Sequence, residues 1–198
     1  MLPTVALSQA ADELAAAKIA AIESVAAEIA TKHGISKDAA IDYLKLALKA
    51  KNAAEQAKKD GKKVTHLYAD MVDKYATTYI MAQVVLTEGT KLYEEMKDEP
   101  VGMTIPKERV ALIQKWASKA IAVTKMTQNA ATAHMTWNME RFSSNPICKR
   151  EAPEFNIKTC IDLLKATTDE FKSIGTTLEG AVHSIGVIVL AVVPRMTY

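Results

Sequence analysis

Apolar residues recur at alternating steps of four and three positions along the second half of the chain. In segment 64–98 the repeat is formed by Leu67, Met71, Tyr75, Thr78, Ala82, Val85, Gly89, Leu92 and Met96. A second repeat of the same kind runs from Ile157 to Val192. Near-parallel helices that pack side chains between one another have this spacing. The pattern predicts two long helices that contribute to one core.

Residues that end helices fall between these repeats. They are Gly34, Gly61, Pro100, Gly102, Pro106, Pro146, Pro153 and Pro194. The segments between them predict five main helices, roughly at 4–33, 36–60, 64–98, 106–143 and 156–193. The last three would each hold about 35 residues and extend about 50 Å. Because the connections are short, successive helices should be antiparallel neighbours. We therefore predict one all-α domain over residues 1–198, folded as an elongated up-and-down bundle.

The composition supports a helical protein and excludes several other classes. Hydrophobic residues make up 49% of the chain, which is too many for a disordered protein. Only 7 Gly and 6 Pro are present, too few for the turns of a sandwich or barrel of short strands. The 25 basic and 23 acidic residues give a net charge of +2, so we expect no nucleic-acid partner.

No sequence motif of an enzyme is present. The chain lacks a phosphate-binding glycine loop, a nucleophile elbow and an HExxH pair, so we expect a non-enzymatic protein without cofactor or metal. His134 lies in the uncharged segment 126–139 beside Met135 and Met139, which could together bind a soft metal. A buried polar helix face is the favoured interpretation of that segment. His183 lies in an apolar run and is expected in the core.

Cys148 and Cys160 flank a predicted loop and admit two interpretations. A disulfide between them would stabilise the fold by about 3 kcal/mol on the chain-entropy account. Residues 1–4 do not begin a secretory signal, and no apolar run is long enough for an ordinary membrane-spanning helix. We therefore expect synthesis in the cytoplasm without a signal peptide, with secretion by another route left open. The expected compartment favours reduced cysteines.

Four lysines form a basic tip between the second and third predicted helices. They are Lys58, Lys59, Lys62 and Lys63. Such a tip could contact lipid headgroups or phosphate, although no aromatic residue is interleaved to stack on bases. A solvated helix turn is the favoured interpretation.

Segment 180–193 departs from the amphipathic pattern because it is apolar on all sides. As a helix it would extend about 21 Å, less than the ~30 Å hydrocarbon core of a bilayer. It could be a buried central helix, a concealed membrane-active element, or a contact between subunits of a homo- or hetero-oligomer. The contact residues would be Ile185, Val187, Ile188, Val189, Leu190, Val192 and Val193.

These features give two functional hypotheses. An elongated helical bundle with a concealed apolar segment has the architecture of an α-helical pore-forming toxin component, a likeness of architecture alone. Membrane lipid would then be the partner. The alternative is a self-assembling structural protein, a coat, scaffold or filament subunit, whose partners are other protein subunits.

Overall fold

The computed structural model describes residues 20–98 and 105–192, and in these ranges the chain is helical with short connections. Helix α1 covers 20–33, α2 is Lys37–Asp60, α3 is Lys63–Met96, α4 is Lys107–Ser144 and α5 is Ile157–Val192. A 3₁₀ turn, Pro146–Cys148, lies between α4 and α5. The predicted all-α bundle is confirmed. The predicted beginning of the first helix at residue 4 lies outside the described residues, as does Val193.

The ends of α2 follow from local chemistry. The Ser36 hydroxyl accepts a hydrogen bond from the Ala39 backbone N–H at 3.2 Å and caps the helix. Gly61 ends it with a left-handed φ of 62°, a conformation in which a β-carbon would be strained. The Asp60 carboxylate then accepts from the backbone N–H of Lys62 at 2.9 Å. These contacts reverse the direction of the chain within two residues, so that α3 packs antiparallel to α2.

Pairs of residues along α3 and α4 show that the two helices are antiparallel. Lys63, at the start of α3, lies 2.8 Å from Glu140 near the end of α4. Glu88, near the end of α3, lies 2.6 Å from Lys119 in the first half of α4. The order on one helix is the reverse of the order on the other, as the short connection predicts.

Helix α3 is the centre of the bundle, in contact with α2, α4 and α5. The stripe predicted for it is confirmed, since its members are buried apart from the half-buried Leu67 and Leu92. The closest approach to α4 is at Gly89. A β-carbon at that position would lie 2.5 Å from the ring of Trp116, whose indole N–H donates to the Val85 carbonyl at 2.8 Å. Absence of a side chain at Gly89 therefore allows Trp116 to pack against α3.

Helix α5 packs against α3 and α4. Among the described residues, it contributes Leu178, Ala181 and Ile185 to the buried part of the main core. The predicted stripe is wrong near its start, where Ile157 and Ile161 are exposed. The buried position there is Cys160, which faces the 3₁₀ turn instead of the bundle.

Candidate functional site

The apolar segment predicted to be functional forms the C-terminal part of α5, and only one of its sides is covered. Ile185 is buried, and Ile188 and Val189 are half-buried against the core. Val187 and Leu190 are 54% and 75% exposed. The side chain of Val192, and Val193 as a whole, lie outside what the structure describes. The segment is thus partly concealed, which is less than a buried central helix, one of the three interpretations of the sequence, would require.

Helical geometry explains this division. Residues spaced by four and three positions lie on one side of a helix, and His183, Val187 and Leu190 have this spacing. All three are exposed, which corrects the expectation of a core position for His183. No charged residue occurs from Gly180 to Val193. The outer side of this part of α5 thus carries Val187 and Leu190 beside the polar His183 and Ser184.

We searched the described part of the chain for helices able to cross a bilayer. None of them combines the length and the hydropathy that a membrane span requires.

Cys148 and Cys160 are joined by a disulfide, with their Cα atoms 5.3 Å apart. This corrects the expectation that both are reduced. The physical reason is the path of the connection after α4. The Asn156 backbone N–H donates to the Ile147 carbonyl at 2.9 Å, which folds the loop back and brings the 3₁₀ turn against the first turn of α5. The spacing of the two cysteines in the sequence could not show that the loop folds back in this way.

The basic tip is divided between two environments. Lys58 and Lys59 are exposed on the last turn of α2. Lys62 and Lys63 instead line an open groove of about 740 Å³ between the start of α3 and the end of α4. The sequence alone does not reveal this groove, because its other wall comes from the end of α4, where Glu140 lies 77 residues after Lys63.

Aromatic and basic side chains of both helices meet in this groove. The Trp137 ring is centred 5.1 Å from that of Tyr68, and the guanidinium carbon of Arg141 lies 5.3 Å from the Trp137 ring centre. The Lys63 ammonium lies 2.8 Å from a Glu140 carboxylate oxygen. A positive charge stacked on an aromatic ring is held in a defined position. The groove thus combines fixed cationic groups with apolar surface.

His134 lies between α3 and α4, one turn before Trp137. The Tyr75 hydroxyl is 3.1 Å from its Nδ1 atom. Burial lowers the pKa of His134 below its usual 6.5 and so favours the neutral imidazole. Met135 and Met139 are exposed on the opposite side of the helix, so the three side chains do not converge. In the described ranges, no group of three or more His, Cys, Asp or Glu residues is arranged to hold a metal ion.

Comparison of the chain with protein-family models, curated proteins and solved structures finds no match.

Proposed function

We propose that this chain is a non-enzymatic, membrane-active protein in which α5 transfers from the bundle to a lipid surface. The observation that carries the proposal is that α5 is apolar on both its buried and its exposed side after Ser184, with no charged residue from Gly180 to Val193. An ordinary bundle helix has one polar side, which faces water when the helix is packed in the bundle. The exposed Val187 and Leu190 give α5 an apolar contact surface before any rearrangement.

The way α5 is attached supports such a transfer. Among the described residues, three buried side chains hold it in the main core, whereas α3 provides most of the apolar contacts to α2 and α4. Separation of α5 would expose Leu178, Ala181 and Ile185 together with the surface that is already open. The disulfide at Cys160 would keep the start of α5 tethered to the end of α4. The freed helix could then bury apolar area in lipid at about 25 cal/mol per Å².

The length of the apolar segment limits what a single copy can do. At about 21 Å it suits insertion into the interfacial region better than passage through a ~30 Å hydrocarbon core. A pore of the toxin-like kind would require several copies to act together. Leakage that rises more steeply than linearly with protein concentration would support that form of the proposal.

Release of a trapped dye from phosphatidylcholine liposomes tests the proposal. Leu190→Glu places a charge on the open side of α5 and should abolish leakage while the helical circular dichroism signal is unchanged. The matched control is Ile121→Glu, because Ile121 is also apolar and 59% exposed but belongs to α4 and not to α5. It should leak like the unmodified chain. Absence of leakage from the unmodified chain, or equal loss in both variants, would contradict the proposal.

A second experiment tests the movement of α5. Ile188 packs against the small cluster of Met96 and Ile113, which makes positions 113 and 188 candidates for an engineered disulfide between α4 and α5. The oxidised double variant Ile113→Cys/Ile188→Cys should bind liposomes weakly and release little dye. Each single variant should retain leakage, since neither can form the link. Full leakage by the oxidised double variant would show that α5 acts without leaving the bundle.

The open stripe of α5 also favours one alternative, a self-assembling structural protein. Interface centres are depleted of charged residues, and the stripe from His183 to Leu190 contains no Asp, Glu, Lys or Arg. A two-fold pairing of this surface would cover Val187 and Leu190. Sedimentation of the lipid-free protein separates the two candidates. A large discrete particle that Leu190→Glu reduces to monomers, together with absence of dye release, would favour assembly.

A further inference from the structure

The groove between α3 and α4 has the composition of a site for an anion. Three basic residues line it, Lys62, Lys63 and Arg141, against one carboxylate, that of Glu140. Glu140 is already engaged by Lys63 at 2.8 Å. Asp60, just before the groove, uses its carboxylate to accept hydrogen bonds from the Lys62 backbone and the Thr65 hydroxyl. The groove therefore keeps an excess of positive charge.

The position of Arg141 gives the groove chemical selectivity. Its guanidinium lies over the Trp137 ring, so less side-chain freedom is lost when it binds a ligand. A guanidinium presents paired N–H donors that match two oxygens of a phosphate, and lysine adds a mobile charge. Hydroxyl and amide groups of Ser144 and Asn145 lie on the same wall. Tyr68 and Trp137 supply apolar surface next to these polar groups.

We propose that this groove binds a phosphate-bearing ligand whose apolar or aromatic part rests against Tyr68 and Trp137. The phosphate would lie between Arg141 and Lys62. Either a soluble phosphate ester or a phospholipid headgroup has this chemistry, and the experiment below separates the two sources.

This site is separate from the membrane-active surface proposed for α5. The groove lies at the start of α3 and the end of α4, whereas Ile188 of α5 packs beside Met96 and Ile113, at the end of α3 and the start of α4. Tyr68 in the groove and Met96 are 28 positions apart on α3, so the Ile188 contact lies about 40 Å from the groove along the helix axis. Binding in the groove can therefore be measured whether or not the protein releases dye from liposomes.

Nuclear magnetic resonance of the two indole N–H groups tests the groove directly. The probes are phenyl phosphate and inorganic phosphate, added to the full chain. Trp137 should shift with phenyl phosphate and less with inorganic phosphate, which lacks a ring. Trp116 is an internal control, because its N–H is bound to the Val85 carbonyl in the core. Its signal should not move.

Two variants that each remove one positive charge distinguish a specific phosphate site in the groove from non-specific electrostatic attraction of phosphate to the basic tip. Arg141→Gln should weaken phenyl phosphate binding about tenfold, the effect of losing a charged hydrogen-bond donor. Lys59→Gln removes the same charge from the tip outside the groove and should change binding less than twofold, as expected for an exposed, screened charge. Equal weakening by both variants, or a Trp137 signal unmoved by either probe, would overturn the proposal.

Vesicle sedimentation identifies the source of the phosphate. The arms are phosphatidylcholine vesicles with and without phosphatidic acid, in the Leu190→Glu background so that the α5 surface does not contribute. Binding that requires phosphatidic acid and is lost with Arg141→Gln would assign the groove to a lipid headgroup. Trp137 shifts with phenyl phosphate and no such vesicle binding would assign it to a soluble phosphate ester.

Discussion

At the scale of single residues, the contact between Gly89 and Trp116 fixes the distance between α3 and α4. A β-carbon at Gly89 would overlap the indole ring, which is itself held by the Val85 carbonyl. The ring cannot move away without losing that hydrogen bond. The residue with no side chain is therefore required here for packing, although glycine lowers helix propensity.

We expect Gly89→Ala to destabilise the protein by about 1–3 kcal/mol, the usual cost of an overpacked core. Urea unfolding followed by circular dichroism measures the change. Gly180→Ala is the matched control, because Gly180 is helical and exposed with open space around it. It should raise stability by up to ~1 kcal/mol through helix propensity alone. Equal effects of the two substitutions would show that Trp116 does not restrict α3.

His134 makes stability depend on pH. Burial lowers its pKa in the folded protein below the unfolded value of 6.5, so the unfolded chain binds more protons between these two pKa values. The associated stability is complete above about pH 6.5 and is lost as the pH falls toward the folded pKa. Helix α3 contributes the Tyr75 hydroxyl, whose own pKa is raised, first by burial and then by Glu179 of α5.

The prediction is that His134→Gln loses less stability than the unmodified chain when the pH is lowered from about 7 to 5. Thermal unfolding at a series of pH values measures the slope, which is independent of any constant cost of the substitution. The matched control is His66→Gln, at an exposed position of α3. Identical slopes for the His134 variant and the unmodified chain would show that the imidazole is charged without penalty in the fold.

At the scale of helices, the disulfide links α5 to the end of α4. Reduction should destabilise the protein by about 3 kcal/mol on the chain-entropy account. Its local effect should be faster amide exchange in the first turns of α5, with α2 and α3 unchanged. Hydrogen exchange with and without dithiothreitol measures both. Dithiothreitol should not change the amide exchange rates of the double variant Cys148→Ser/Cys160→Ser. An exchange pattern that reduction leaves unchanged would show that the loop holds its shape without the bond.

The sequence predicts helices better than it predicts which helices meet. The stripe of α3 and the cap at Ser36 depend on spacing and on local hydrogen bonds, both of which are visible in the chain. The disulfide and the groove that brings Lys62 and Arg141 together depend on how distant segments return, which periodicity does not encode. For the same reason the pattern could not show that α5 leaves Leu190 open to solvent.

At the scale of the whole molecule, the bundle has a centre and a periphery. Helix α3 is covered by α2, α4 and α5, whereas the described side chains of α5 after Gly180 are buried on one side and leave Val187 and Leu190 exposed. Local stability in a protein follows the density of buried apolar contacts. The same fold can therefore combine a firmly held three-helix core with a terminal helix of lower stability, which is the property that transfer to a membrane requires.

We expect native-state hydrogen exchange to show this difference. Amides in the middle of α3 should open only with global unfolding, whereas those after Gly180 in α5 should exchange through an opening of lower free energy. The opening free energy of the α5 amides should also change little with urea concentration, since a local opening exposes little surface. The oxidised Ile113→Cys/Ile188→Cys variant should slow their exchange and leave α3 unchanged. If α5 exchanges as slowly as α3 in the unmodified chain, the two helices unfold as one unit. The bundle would then hold α5 as firmly as its core, and the open stripe at Val187 and Leu190 would have to act in place, as a contact between assembled subunits.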